Sequence, residues 1–114
     1  MADQQKLYDT TTIELIGRNN PSFLNEMIVM FVKLVSKDFE ALKAAALDNR
    51  WDEAGQLAHK IKSALGNMGV TNVMPYIKAL ETRTGDGMEN FKHLEEGLLK
   101  VLAQMQQDHA QLFK

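Results

Sequence analysis

From Leu24 to Leu112, apolar residues return every three or four positions, and the strict alternation of a half-buried strand is absent. Such spacing commits the chain to amphipathic helices. Leu24, Met27, Ile28, Phe31, Leu34, Val35, Leu42 and Ala45 form one stripe, opened by Asn20 as a cap and Pro21 where proline is best tolerated, and predict a helix over 21–47. Asp48 and Asn49 supply a break and a new cap. Behind them, Asp52 and Glu53 occupy a first turn whose dipole favours acids, and Trp51, Ala54, Leu57, Ala58, Ile61, Leu65 and Met68 mark a helix ending near 67–69. Val70, Val73, Met74, Ile77 and Leu80 continue into another helix. Pro75 fits its first turn if the cap lies near Asn72. Residues 84–87 form a loop, and Phe91, Leu94, Leu98, Val101, Leu102, Met105 and Leu112 run through a last helix of 89–112. Ahead of them all, Thr11 to Glu14 reads as a capping box for a helix of little more than one turn, with Gly17 at its C′ position.

Short connections make successive helices antiparallel neighbours. The expected fold is therefore all-α, an antiparallel up-and-down four-helix bundle with a short N-terminal helix across one end. At 114 residues the chain suits one domain over 1–114, and 45% hydrophobic against 25% charged residues is enough to build a core.

A net charge of −2 gives no basic excess for nucleic acid or an anionic membrane. With no cysteine, disulfides, thiolate nucleophiles and cysteine-based zinc sites are excluded. The N-terminus has no apolar targeting segment and no run is long enough to span a bilayer, so a cytoplasmic monomer is the default expectation.

The stretch from Ala58 to Gly69 carries the one concentration of chemistry. On a wheel of about 100° per residue the apolar set of the third helix covers an arc of about 100°, and His59 lies about 150° from its centre, toward solvent. Around it stand Gly55, Ser63 and Gly66, with Lys62 one turn on. Glycine inside a helix costs up to about 1 kcal/mol relative to alanine. Two readings are open: a flat face that lets a bulky partner approach the ring, or glycines tolerated on an indifferent surface. An imidazole in water is substantially neutral at neutral pH and offers a nitrogen lone pair, and Lys62 would place positive charge beside an anion formed there. Together they suit accepting a phosphoryl group, whose transfer depends on positioning and charge neutralisation. Lys60 projects to another side. No glycine-rich loop precedes a Lys-Ser/Thr pair, and "TGDG" at 84–87 lacks the length of a phosphate cradle, so ATP is not the obvious donor.

These residues resemble the histidine-containing phosphotransfer (HPt) domain of multistep two-component signalling, whose motif has a lysine three residues after the histidine, small residues at four and five, and glycine at ten. His59, Lys62, Ser63, Ala64 and Gly69 match it, and the similarity of helix order extends over about 8–112. One departure is Ser63, where glycine is commoner; Gly66 is no part of the motif. The resemblance implies a relay intermediate rather than a kinase. His59 would take a phosphoryl group from the aspartyl phosphate of one receiver domain and return it to the aspartate of another, Lys62 would stabilise it, and Ser63 would add a hydrogen bond. Its implied partners are response-regulator receiver domains and a hybrid sensor histidine kinase, with no cofactor of its own and Mg²⁺ supplied by the receiver. Gly55, Gln56, Gly66, Met68 and Gly69 would belong to the docking face.

Two alternatives stand beside this reading. One is a bundle that docks receivers without being phosphorylated. The other is a metal site, which is weak: His93 and His109 are sixteen residues apart, about 24 Å along a helix, and no Glu-x-x-His pair exists.

Overall fold

The computed structural model describes residues 7–113; the first six residues and Lys114 of the expected 1–114 domain lie outside the described residues. The helices are α1 (Thr11–Ile16), α2 (Pro21–Leu47), α3 (Trp51–Asn67), α4 (Met74–Thr82) and α5 (Gly87–Asp108), followed by a 3₁₀ turn, Ala110–Phe113. Sequential helices pack on one another and α5 closes back on α2, which is the expected four-helix bundle with α1 at one end. Among the described residues no strand is present and no polar or charged residue is buried. The core is wholly apolar, with Ile28, Leu42, Leu65, Ile77, Leu94 and Leu98 fully enclosed.

Local chemistry explains where most helices begin. The Asn20 side chain accepts from Ser22 N at 2.9 Å and Phe23 N at 3.4 Å, and Asp86 accepts from Glu89 N at 3.1 Å, so α2 and α5 each start on a side-chain cap. Several expectations shift. Thr11 is the first residue of α1 and not its cap, because Asp9 Oδ1 accepts both from its N–H (2.9 Å) and from its hydroxyl (2.6 Å). Gly17 has φ −85, and the left-handed positions are Arg18 and Asn19. Phe23 is what constrains Gly17: a Cβ there would lie 2.3 Å from that ring. Asn49 likewise takes a left-handed turn (φ 58) instead of capping α3, whose N-cap is Arg50.

Toward the other half, α4 begins at Met74, later than the apolar series suggested, and Pro75 sits in its first turn, where the missing N–H is harmless. Val70 and Val73 are fully buried from a non-helical segment, so they contribute to the core without belonging to the helix. The last helix ends at Asp108, not 112; Leu112 and Phe113 pack against the core from the 3₁₀ turn. Leu34, expected in the core stripe of α2, is 52% exposed.

Residues 7–9 lie across the end of the bundle. Leu7 N donates to Gln104 Oε1 at 2.8 Å, the Tyr8 hydroxyl to Asp108 Oδ2 at 2.7 Å, and Asp9 N to Met68 O at 2.7 Å. Gly69 closes α3 at φ +65, with Val70 N donating to Leu65 O at 2.9 Å, and a side chain there would strike Asp9. Its glycine is thus demanded by helix termination and by the adjoining N-terminal segment.

The glycines of α3 separate into two kinds. A Cβ on buried Gly55 would lie 2.9 Å from the backbone oxygen of Leu80, whereas one on Gly66 would meet nothing within 4 Å. Gly55→Ala is expected to destabilise the bundle by about 1–3 kcal/mol through the forced separation of α3 and α4, and Gly66→Ala to stabilise it by up to about 1 kcal/mol. Urea denaturation of the two variants measures both; equal midpoints would refute the distinction.

Candidate functional site: an exposed imidazole between two helices

Midway along α3, His59 stands with 71% of its side chain exposed. The wheel places it there because Ala58 and Ile61, its neighbours in sequence, are drawn into the core at 0% and 1% exposure. Antiparallel α4 runs alongside, and the absence of a side chain at Gly55 brings its backbone close. One residue beyond Leu80, Glu81 reaches across to α3. Its Oε2 accepts from His59 Nδ1, and Lys62 Nζ donates to Oε1 at 2.8 Å and to Oε2 at 3.2 Å. Glu81 is 16% exposed and Lys62 42%, so the array lies at the boundary of core and solvent.

The Lys62 hydrogen bond holds the Glu81 carboxyl below its ordinary pKa; burial opposes this, and the His59 hydrogen bond adds to it. Glu81 is therefore ionised at neutral pH and acts only as an acceptor. A carboxylate on Nδ1 puts the hydrogen of the neutral ring on that nitrogen and leaves the Nε2 lone pair unprotonated. The ring is thus oriented and its tautomer selected by a residue from another helix.

Lys62, expected to place positive charge beside the ring, lies one turn from His59 and is itself bonded to Glu81. Lys60 faces α2, 3.3 Å from Asp38, as its different direction on the helix suggested. Of the anticipated docking residues, Gln56 and Gly66 are exposed on the His59 side of α3, as is Ser63. Met68 is not: at 2% exposure it belongs to the core, because the helix axis carries its side chain back to the buried stripe. Gly55 is buried against α4 yet lines the floor of the cleft beside His59, and Gly69 is tied to Asp9 at the far end of the helix.

Sequence reasoning missed Glu81 entirely. It missed Arg83 too, which with Asp52, Gly55, Gln56, His59 and Glu81, and Trp51 at one end, lines a cleft of about 340 Å³ beside the imidazole. Neither residue carries a local motif; only the approach of α4 to α3 brings them to the site. Among the described residues no group of three His, Asp or Glu could hold a metal ion, and no helix is long and apolar enough to cross a membrane. His93 stacks on Tyr76 at 5.0 Å between ring centres, a surface packing contact.

The structure thus combines a four-helix bundle with an oriented and accessible imidazole on α3. The Hpt domain family model matches residues 26–112, and the chain belongs to that family. Its general role is phosphotransfer in phosphorelay signalling, in which the family's members interact with receiver domains and histidine kinases. Comparison with curated proteins and with solved structures gives no significant match.

Because the native carboxyl of Glu81 has a lowered pKa, its contribution to stability is present above the ordinary glutamate value of about 4.3 and is lost as the pH falls through the lowered native one. At neutral pH, Glu81→Gln should cost up to about 1 kcal/mol, a modest figure since Lys62 is partly in solvent. Chemical denaturation from about pH 7 to about pH 3 checks the sign: the gap between the proteins should narrow in acid. A gap that widened would refute the assignment.

Proposed function

We propose that His59 is the phosphoryl acceptor and donor of a phosphorelay. The carrying observation is the Glu81 carboxylate on Nδ1, which leaves Nε2 as an exposed nucleophile. In the forward step Nε2 attacks the phosphorus of a receiver's aspartyl phosphate; the N–P bond forms as the carboxylate O–P bond breaks, and the aspartate leaves with that electron pair. The reverse step discharges the group onto the aspartate of another receiver. Mg²⁺, held by the receiver, neutralises the phosphoryl oxygens during both passages. Lys62, within reach of Glu81 and one turn from His59, supplies positive charge from this side.

Exposed apolar side chains mark where a receiver would dock. Met30 and Leu34 of α2 are 48% and 52% exposed, and with Met27, Phe31 and Ala64 they line a small groove of about 130 Å³. The Lys60–Asp38 pair fixes the register of α2 on α3, placing Leu34 one turn of α2 from the level of His59. Ser63 and Gly66, one and two turns on from His59, are small and exposed, which keeps the approach to the ring low. Met68, though buried, lines this same groove, so the apolar surface extends the anticipated docking face from Met68 onto α2.

Incubation with a phosphorylated receiver, Mg²⁺ and no ATP should give acid-labile, alkali-stable label on the wild type and none on His59→Gln. Equal labelling of the two would remove His59 from the acceptor role. Lys62→Ala should fold, since the position is half-exposed, yet transfer at least several-fold more slowly. An unlabelled wild type that still bound the receiver would favour the alternative, a docking module without phosphorylation.

A further inference from the structure

The cleft beside His59 contains a second cation. Arg83 follows directly on α4 and adopts a left-handed conformation, φ 59 and ψ 40, a position usually taken by glycine or asparagine. An arginine there breaks a local preference without adding to the core, since its side chain is 53% exposed. Its guanidinium pairs with Asp52, whose side chain is 89% exposed. An ion pair so open to water is weakly held and readily exchanged for a better anion. The cleft that Arg83 lines also holds His59 and Glu81, and α3 carries Asp52 and His59 on the same side, two turns apart.

Charge makes an exchange favourable. A phosphoryl group on Nε2 brings one to two negative charges next to the Glu81 carboxylate, which already occupies Lys62. The charged groups around the ring are then Glu81 and Asp52 against Lys62 and Arg83. Only a guanidinium offers a planar fork suited to two phosphoryl oxygens. We propose that Arg83 is a phosphoryl-binding residue that moves from Asp52 to the phosphoryl group once His59 is modified, Asp52 serving as its resting partner. The assignment rests on the phosphorylation of His59 proposed above.

Phosphoramidate tests it without any partner protein: Nε2 attacks its phosphorus, the N–P bond to the leaving group breaks, and ammonia departs. The ³¹P signal of the phosphorylated protein is then followed across its second ionisation. A bound guanidinium favours the dianion, so Arg83→Gln should raise the titration midpoint by about half a pH unit relative to wild type. Arg83→Lys should recover part of the difference, and Asp52→Asn, which releases the arginine, should lower the midpoint or leave it at the wild-type value. Identical midpoints for wild type and Arg83→Gln would overturn the arginine proposal alone. A phosphoramidate-treated wild type with no ³¹P signal, or a His59→Gln variant with an unchanged one, would overturn the acceptor reading and this proposal with it. A far-UV circular dichroism spectrum of each modified variant, taken alongside the titration, separates a loss of fold from a midpoint shifted in the folded protein.

Discussion

The contact between Gly55 and the carbonyl of Leu80 sets the rest of the site. With the prospective Cβ only 2.9 Å from that oxygen, no other residue lets α3 and α4 approach so closely. The approach is what allows Glu81, on the next residue of α4, to span to His59 and Lys62. Widening the helix pair by the thickness of a methyl group would lengthen these hydrogen bonds beyond useful geometry. A packing constraint in the backbone is thus converted into the orientation of an imidazole. The glycine near the histidine acts from underneath, as the floor of the cleft beside the ring.

Keeping the core apolar is the second condition. Since no described polar residue is buried, the three charged and polar groups of the site sit where the aliphatic stripe of α3 gives way to solvent. Glu81 is covered enough to hold a fixed carboxylate, and His59 is open enough to meet another protein. A deeper imidazole would be shielded from its partner; a fully solvated one, without an orienting carboxylate, would sample both tautomers and many rotamers. The intermediate burial of Glu81 reconciles these demands.

Much of this could be read from residues near one another in the chain. The apolar period, the Asn20-Pro21 start and the direction of His59 on its wheel are local properties, and α2 occupies the expected 21–47. Helix ends were legible only where one side chain decided them. Asp9 and Asn49 altered the starts of α1 and α3 through competing turn chemistry, and Pro75 delayed α4. Glu81 was invisible because its role depends on a residue twenty-two positions away, and a glutamate on a helix surface carries no mark of its partner. The same limitation hid the close contact at Gly55: a small residue on a helix can signify open space or close contact, and only the neighbour decides which. Leu34 erred in the opposite sense, since a stripe of apolar residues wider than the core it faces leaves its margin in solvent.

On the proposed reading, the charge arrangement also suits a relay better than a store. In the resting array Lys62 and the His59 ring both meet one carboxylate, Glu81. Adding a phosphoryl group leaves more negative charge than these two residues balance, and the Glu81 carboxylate that orients Nε2 for attack then opposes the charge on the product. A site that neutralised the phosphoryl group fully would hold it too tightly to pass on, by the same logic that makes uniform binding unproductive in catalysis. Even with Arg83 turned onto the phosphoryl group, Glu81 and Asp52 stand against Lys62 and Arg83, so an incoming receiver with its metal ion supplies the missing positive charge only while it is docked. Exposure of the ring and incomplete neutralisation thereby work together: the phosphoryl group is accessible to the next aspartate, and its most favourable surroundings lie on the partner.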